Sequence, residues 1–579
     1  MTMLTKWGAA LDRSCPLPEY PRPQLRRESF YNLNGAWNYA VTPSGDEPEV
    51  WDGEIVVPFS PEAPLSGAAR GPAKDEYLHY RRGFTLPEGF QKSRVLLHFG
   101  AVDQIAEVFV NGVSAAKHSG GYWPFSADIT SLLREGENIL RVTVRDNADD
   151  PTFAYGKQRY KRGGMWYTAQ SGIWQTVWLE SVPEVYVKSL RITPEFDEAR
   201  VRIELETALE SRAAITCDVR AADGSFVAGS WAKGGVCVVP LPGFRAWTPD
   251  DPYLYTLDIT CDEDRVESYF AMRKFSYVEL DGHKVFGLNN APLFHNGLLD
   301  QGYYPDGLLT PPSDEAMVND IETIKRCGFN MLRKHIKIEP LRWYYHCDRI
   351  GMIVWQDMVS GGQPYSFLHV SALPTLGKVD LPDQDAKPYG RSGVLSRARF
   401  RREMADTVRL LYNCPCIALW TVFNEGWGQF DALDMANELK KLDPTRFIDH
   451  ASGWQDQGYE EMKSRHIYFR PVKLKNDGRA LALTEYGGYI LAVDGHRWTD
   501  KVFGYRICRD SAALAHDYEK LMLGQVLPHI RKEGLTAAVY TQITDVEEEL
   551  NGLMTYDREV LKIPEETLRE INAALRFDA

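Results

Sequence analysis

Cysteine is scarce in this chain and shows none of the spacing that disulfide frameworks or metal centres require. The 579 residues include nine cysteines, an odd number, scattered between Cys15 and Cys508. Cys414 and Cys416 lie two positions apart, and no second pair accompanies them at the spacing of a zinc site. We therefore predict buried free thiols, no disulfide framework and no metal site.

The chain also lacks an excess of positive charge and long apolar runs. Lys and Arg number 66 against 80 Asp and Glu, which gives a formal net charge of −14 at pH 7. A nucleic-acid surface needs a basic face, so the charge argues against that class of partner. No run of apolar residues is long enough to span a membrane, and the amino-terminal segment lacks the apolar centre of a signal peptide. We expect a cytoplasmic protein that associates with neither membranes nor nucleic acid.

Apolar and aromatic residues, by contrast, are plentiful, at 44% and 12% of the chain. A length of 579 residues is too great for one ordinary domain. Short alternating strands between turns, such as "RVLLHFGAV" and "IWQTVWLE", predict a β-sandwich over residues 1–183. A second β-rich stretch, over residues 184–275, has the size of an immunoglobulin-like β-sandwich.

From residue 276 to residue 579, apolar strand-like runs alternate with amphipathic stretches such as "SDEAMVNDIETIKRCG". Alternating β and α elements predict a parallel sheet. Eight strands in about 300 residues match the requirement of a (β/α)8 TIM barrel. The predicted strands span residues 293–299, 330–335, 352–358, 417–424, 446–452, 465–469, 481–487 and 537–544.

Two glutamates, Glu425 and Glu485, each close one of these apolar strands, the fourth and the seventh. Strands of such a barrel end at one face, so the two side chains should meet there. A carboxylate pair can cleave a glycosidic bond, because one acid protonates the leaving oxygen while the other carboxylate attacks the anomeric carbon. Asn424 is placed to hydrogen-bond a nearby sugar hydroxyl. The alternative is that each glutamate only begins a helix, where negative charge is favourable.

Longer motifs resemble a known family. "NCPCIALWTVFNEG" and "LTEYGG" resemble the acid/base and nucleophile segments of glycoside hydrolase family 2. "LNGAWNYAV", "GGYWPFSADIT" and "SGIWQTVWLE" resemble its sugar-binding jelly roll, and "AWTPDDPYLYTLDIT" resembles its immunoglobulin-like domain. The resemblance extends over nearly the whole chain. It implies a jelly roll at 1–183, an immunoglobulin-like domain at 184–275 and a catalytic TIM barrel at 276–579.

The resemblance also implies roles for individual residues. Glu425 would be the proton donor and later the base, and Glu485 the nucleophile of a retaining mechanism that needs no cofactor. Arg333 would lie beside the nucleophile, where a cation favours the charged carboxylate. Tyr468 would hydrogen-bond the nucleophile. An ordinary barrel salt bridge is the alternative for Arg333, and simple packing is the alternative for Tyr468.

Three positions depart from the family pattern. The segment after the second strand reads "RKHIKIEP", which brings His335 one position early. At the third strand, Gln356-Asp357 replaces the usual Asp-Glu and shortens a carboxylate. Tyr540 stands on the eighth strand where a Trp is common, and its ring could still form the floor under a sugar.

Further residues near the predicted strand ends suit a sugar ligand. Aromatic rings can cover the apolar face of a sugar ring, and carboxylates and imidazoles can bind its hydroxyls. For a lone His or Asp at the barrel rim, helix capping or contact with solvent is the alternative. The candidates are Trp355, Trp427, Trp454 and Tyr540 among the aromatic residues, and Asp300, His335, Asp357 and His466 among the polar ones.

The sugar is predicted to be neutral. Family β-glucuronidases carry an Asn-x-Lys element whose Lys binds the substrate carboxylate, and Glu549 and Asn551 stand at the matching positions. An anionic Glu549 would repel a uronate. We expect an exo-acting β-galactosidase, with galactofuranosidase, glucosidase, mannosidase and arabinosidase activities left open.

Two more hypotheses about the activity stay open. A catalytically inert carbohydrate-binding protein would share the fold, since fold alone does not fix function. Transglycosylation would use the same residues as hydrolysis. The Gly-rich loop 161–174, with Trp166 and Tyr167, either closes the active site or only packs. The expected partner is an oligosaccharide or glycoside substrate, and formation of a homo-oligomer is left open.

Overall fold

The first unit is a sandwich of two antiparallel sheets. The computed structural model describes residues 3–211, 213–376 and 380–577. Apolar side chains from both sheets, including those of Trp37, Tyr80 and Leu97, form one shared core. The six-stranded sheet consists, in spatial order, of Gly53–Val57, Gly35–Thr42, Tyr77–Phe84, Asn138–Arg145, Ile105–Val110 and Val113–Ser119. The four-stranded sheet consists of Tyr31–Asn32, Val177–Val182, Arg94–Phe99 and Phe125–Asp128.

The second unit is a smaller sandwich of the immunoglobulin-like kind. Alternate residues of Tyr255–Cys261 are buried and half-buried, as expected for a strand with one face on a core. One sheet consists of Val187–Glu195, Arg200–Thr207 and Val236–Pro240. The other consists of Phe226–Trp231, Thr216–Arg220, Tyr255–Cys261 and Asp264–Phe270.

The third unit is a nearly closed barrel of eight parallel strands, entered through the hairpin Phe275–Leu280 and His283–Leu288. Neighbouring strands pair in parallel from β5 through β1 to β8, β7 and β6, so the ladder is open only between β5 and β6. The strands are β1 His295–Asp300, β2 Met331–Lys334, β3 Ile353–Asp357, β4 Ile417–Thr421, β5 Phe447–Asp449, β6 Met462–Ile467, β7 Ala480–Gly487 and β8 Leu535–Thr541.

Helices cover the outside of this barrel. The first begins after Ser313, whose side chain accepts a hydrogen bond from Ala316 N and so caps the helix. In the described ranges, loops rather than helices connect β5 to β6 and β6 to β7. The helices are α1 Asp314–Arg326, α2 Leu341–Ile350, α3 Val394–Leu411, α4 Ala432–Leu442, α5 Ser511–Leu521, α6 Leu527–Glu533 and α7 Glu565–Asn572.

The predicted fold class is confirmed, with shifts at the strand ends. The eight predicted strands correspond in order to β1–β8. However, β4 ends at Thr421, so Asn424 and Glu425 lie in the loop beyond it. Tyr468 likewise follows β6 instead of lying on it. All nine cysteines are free, eight of them buried and Cys15 half-buried. Among the described residues, no helix is long and apolar enough to cross a membrane.

Candidate active site

Glu425 lies at the barrel face where the strands end. Its φ of +54° is a left-handed backbone conformation, which costs a non-glycine residue about 1–2 kcal/mol. Two hydrogen bonds hold this turn: Glu425 N donates to Ser452 O (2.9 Å), and Trp454 Nε1 donates to Glu425 O (2.8 Å). The surrounding loops therefore fix Glu425 in a conformation that a free chain would avoid.

Glu485 lies on β7 and faces the same space. Arg333 Nη1 donates to its Oε1 (3.1 Å), and the Tyr468 hydroxyl donates to its Oε2 (2.6 Å). Tyr468 is itself held by Thr541, whose Oγ1 is 3.0 Å from the hydroxyl, and by stacking on Tyr505 at a ring-centroid distance of 3.9 Å. Because a donor binds each oxygen, the Glu485 carboxylate is held in one orientation.

Arg333, fully buried on β2, connects several predicted site residues. Its guanidinium donates two hydrogen bonds of 3.0 Å to Asp357 and one of 2.7 Å to Asn424 Oδ1. Burial alone would raise the pKa of Asp357, but Arg333 and His335, whose Nδ1 lies 2.8 Å from Asp357 Oδ2, lower it to about 2. Asp357 is therefore ionised at neutral pH, and it fixes both Arg333 and His335.

The two glutamates meet across the barrel mouth with His466 between them. One carboxylate oxygen of Glu425, one of Glu485 and one ring nitrogen of His466 lie within 4.8 Å of one another. His466 Nδ1 is 2.9 Å from Glu425 Oε1 and 3.5 Å from Glu485 Oε2. Oxygen atoms this close are compatible with the spacing of about 5–5.5 Å between the carboxyl groups of retaining glycosidases. The same three atoms could also ligate a metal ion, although glycosidic cleavage by two carboxylates requires none.

The surroundings of the two carboxyl groups differ. Burial raises the pKa of Glu425, against the opposing charges of Lys157, His335 and Arg333. Its neighbour His466 is neutral, because burial lowers the pKa of that imidazole to about 3. Glu485, by contrast, receives a hydrogen bond from a cation. Such a contrast between two carboxyl groups separates an acid from a nucleophile.

Asn424 and Asp300 have different surroundings. Asn424 Oδ1 accepts from Arg333, and its amide nitrogen has no hydrogen-bond partner among the described residues, so it can donate to a ligand. Both oxygens of Asp300 are already engaged, by Lys334 Nζ (2.6 Å) and Gly302 N (2.9 Å). Asp300 therefore organises the end of β1.

Two of the predicted tryptophans surround Glu425. Trp454 is half-buried, and its ring lies edge-on to His466 at a centroid distance of 5.5 Å. Trp427 packs edge-on against Trp166 of the first unit at 5.0 Å, and its Nε1 has no partner in the described chain. An aromatic wall thus forms on the side of the proposed acid.

Tyr540 and Trp355 are not brought to the mouth. Tyr540 is fully buried, with its ring 5.2 Å from that of Tyr518 on α5. Successive side chains of a strand point to opposite sides, and Tyr540 is on the side of the helices. The interpretation of its ring as a floor for the sugar does not fit this position. Trp355 lies inside the barrel, where its Nε1 donates to His295 Nδ1 (3.0 Å).

The first unit contributes to the barrel mouth, which the sequence left undecided. Within loop 161–174, the Tyr167 hydroxyl donates to Glu549 and Thr168 N donates to Glu547 Oε1 (2.8 Å). Upstream, Tyr155 N donates to Ser360 O, in the loop after β3 (3.1 Å). These contacts also bring Lys157 to the site. Sequence reasoning did not single out Lys157, nor Thr541 and Tyr505, which hold Tyr468.

A TIM barrel with a carboxylate pair at its mouth and a jelly roll packed over that mouth defines a class of carbohydrate-processing proteins. Sequence profiles agree along the chain. Residues 63–183 match the sugar binding domain of glycosyl hydrolases family 2, residues 185–273 match the domain described as glycosyl hydrolases family 2, and residues 310–474 match the TIM barrel domain of that family. The chain belongs to glycoside hydrolase family 2.

Relatives that are named for different activities are similar to this chain. A β-galactosidase of Thermoanaerobacter pseudethanolicus is 25% identical over 387 residues, 63% of this chain and 47% of the relative. A β-glucuronidase of Paenibacillus borealis is 22% identical over 532 residues, 82% of this chain and 85% of the relative. The chain spans about half the length of the first curated relatives it matches. In structure, a β-glucuronidase of an uncultured Clostridium sp. matches with a TM-score of 0.74 at 19% identity, covering 95% of this chain and 99% of that one. At that identity the likeness shows the fold alone.

Proposed function

We propose that the protein is an exo-acting retaining β-glycosidase for a neutral sugar, with β-galactosides as the first candidate substrates. The observation that carries this proposal is the Glu425 and Glu485 pair, with oxygen atoms within 4.8 Å across the barrel mouth and in contrasting surroundings. The family membership and the resemblance of both segments to the family's catalytic motifs support it.

In the first step, Glu485 attacks the anomeric carbon while the glycosidic C–O bond breaks. Glu425 gives its proton to the leaving oxygen, and an ester between the sugar and Glu485 results. In the second step, Glu425 takes a proton from water, the water oxygen bonds to the anomeric carbon, and the ester bond to Glu485 breaks. Arg333 and Tyr468 hold the nucleophile at both oxygens, so that one lone pair faces the sugar.

Glu549 supports the choice of a neutral sugar. It is buried in the loop after β8, where the hydroxyl of Tyr167 donates to it. A uronate would place a second carboxylate near this one and gain repulsion instead of a salt bridge. Relatives named β-galactosidase and β-glucuronidase both occur, so their names do not decide between the sugars. Galactofuranosidase, glucosidase, mannosidase and arabinosidase activities remain candidates within the same mechanism.

The test is a set of initial rates on 4-nitrophenyl galactopyranoside, galactofuranoside, glucoside, mannoside, arabinosides and glucuronide. The proteins compared are the wild type, Glu485→Ala and the control Glu403→Gln. Glu403 is a buried glutamate on α3, and burial raises its pKa to about 8, so the amide replaces a neutral acid of equal size. We expect the wild type and the control to cleave one neutral glycoside, and Glu485→Ala to cleave none while keeping its circular dichroism spectrum.

Three results would contradict parts of this proposal. Full turnover by Glu485→Ala would exclude Glu485 as the nucleophile. Faster cleavage of glucuronide than of every neutral glycoside would exclude the neutral-sugar assignment. Saturable sugar binding without product release by the wild type would favour an inert carbohydrate-binding protein. Product analysis with an added acceptor sugar separates hydrolysis from transglycosylation, because the acceptor then replaces water in the second step.

A further inference from the structure

Lys157 is a buried cation without a hydrogen-bond or ion-pair partner among the described residues. It comes just before the short strand Gln158–Arg159 of the first unit and is 8% exposed. Its Nζ makes no hydrogen bond or ion pair within the described ranges, and the centroid of the Trp166 ring lies 5.6 Å away. Lysines are rarely this buried unless they are paired. The ammonium group of an unpaired lysine is free to bind an acceptor on a ligand.

Backbone and ring contacts place Lys157 over the barrel mouth. Its carbonyl oxygen accepts from Tyr167 N (2.9 Å), and the Tyr167 hydroxyl donates to Glu549. The Trp166 ring beside the ammonium group packs edge-on against Trp427, which belongs to the loop of the proposed acid. Lys157 therefore lies between the loop after β4 and the loop after β8.

Glu549 offers a complementary acceptor. Its Oε2 accepts from Tyr167, and the nearby Gln542 amide also favours its charged form. A carboxylate can accept about four hydrogen bonds, so capacity remains for a ligand. Lys157 Nζ and the Glu549 carboxylate are too far apart for an ion pair, which would require 4.0 Å or less. Burial raises the pKa of Glu549 and that of Glu425, and Lys157 opposes this effect in both. Tyr167, which contacts both residues, thus brings a donor and an acceptor from two domains to the barrel mouth.

We propose that Lys157 and Glu549 bind neighbouring hydroxyl groups of one neutral sugar ring, Lys157 as donor and Glu549 as acceptor, and that the pair determines which sugar is cleaved. The inference rests on the proposed glycosidase function. A hydroxyl accepts and donates at once, so a donor and an acceptor held apart can engage two of them. The two charges compensate each other, which leaves no net cation for a uronate. The first unit is then part of the substrate site.

The test combines variants of the protein with variants of the substrate. The variants are Lys157→Met, Glu549→Gln and the control Lys161→Met, at an exposed lysine beyond the strand Gln158–Arg159. The substrates are the 4-nitrophenyl glycoside that the wild type cleaves fastest and its monodeoxy analogues. Loss of one hydrogen bond to a charged group corresponds to roughly a 10- to 150-fold lower kcat/KM, and we expect this loss for Lys157→Met on the parent glycoside.

The deoxy analogues separate binding from a merely structural role. On the analogue that lacks the hydroxyl bound by Lys157, the wild type and Lys157→Met should have the same kcat/KM. Lys161→Met should match the wild type on every substrate. Glu549→Gln should raise the rate on the glucuronide relative to the neutral glycoside, because it removes the repulsive charge. If Lys157→Met does not fold, Lys157→Gln, which keeps a donor, serves with the same analogues.

The inference is overturned if Lys157→Met cleaves the parent glycoside as fast as the wild type, or slows all analogues by one common factor. It is also overturned if the variant loses only glucuronide cleavage, since Lys157 would then bind a carboxylate. The proposed function fails by a different result, namely full turnover by Glu485→Ala. If the wild type cleaves nothing, calorimetric binding of the free sugar and of its deoxy forms to the same variants gives the same comparison.

Discussion

Replacing Glu425 by Gln should slow different glycosides by very different factors. The amide keeps the size of the side chain and its position beside His466, 2.9 Å from Oε1, but it has no proton to give. General acid catalysis contributes about 10²–10⁴-fold, which is about 3–5 kcal/mol of transition-state stabilisation. A methyl glycoside, whose alcohol leaves poorly, should show this whole loss. The dinitrophenolate of a 2,4-dinitrophenyl glycoside leaves as a stable anion without needing a proton. The first step on this glycoside should therefore slow by no more than about tenfold.

Stopped-flow measurement of dinitrophenolate release tests this prediction. The second step still needs Glu425 as a base, so the variant should release one equivalent of dinitrophenolate in a burst and then turn over slowly. The Glu425 side chain is 23% exposed, so an added azide ion should reach the anomeric carbon without a base and restore turnover. Glu403→Gln should behave as the wild type. An equal slowing of both glycosides would refute the assignment of Glu425 as the acid.

The same contacts give three more predictions. Tyr468→Phe should lower kcat by about 10- to 150-fold with KM little changed, because it removes a hydrogen bond of about 1.5–3 kcal/mol to the nucleophile; an unchanged kcat in steady-state kinetics would contradict this. Arg333→Met should destabilise the protein by about 3–5 kcal/mol, since Asp357 would stay buried without its cation; equal thermal midpoints for this variant and the exposed control Arg409→Met would exclude it. The fall of kcat/KM at high pH should have its midpoint above pH 4.5, because burial raises the pKa of Glu425 and only its protonated form is the acid. A midpoint at or below pH 4.5 would contradict that reasoning.

The convergence of Glu425 and Glu485 could be predicted because a carboxylate in or directly after a run of buried residues requires a reason. All eight residues of β7 are buried, Glu485 among them, and Glu425 follows the fully buried β4. The alternation of eight apolar strands with amphipathic stretches predicted the barrel, and the barrel predicted the convergence of both glutamates at one face. The left-handed turn at Glu425, which takes it beyond the strand, depends on loops far away in sequence and was not predictable.

Tyr540 and Lys157 show two limits of the sequence. In β8 every side chain is buried, so no alternation of polar and apolar residues indicates which side faces the mouth and which faces the helices. The side of the barrel wall to which the Tyr540 side chain points could therefore not be predicted. Lys157 reaches the site only because the first unit docks on the barrel, and contacts between domains leave no periodic signal in the chain. Its neighbours in sequence, Gln158 and Arg159, carry no sign of the role proposed for it.

Covalent trapping tests the central claim most directly. The wild type is incubated with the 2-deoxy-2-fluoro analogue of its preferred aryl glycoside. The fluorine slows both steps, and the good leaving group keeps the first step fast enough for the glycosyl-enzyme to accumulate. Intact-protein mass spectrometry and peptide mapping then locate the label. The proposed mechanism predicts one sugar per chain, on Glu485, in the wild type and in Glu403→Gln but not in Glu485→Ala. A label on another residue, or continued turnover of this analogue with no labelled protein at any time, would contradict it.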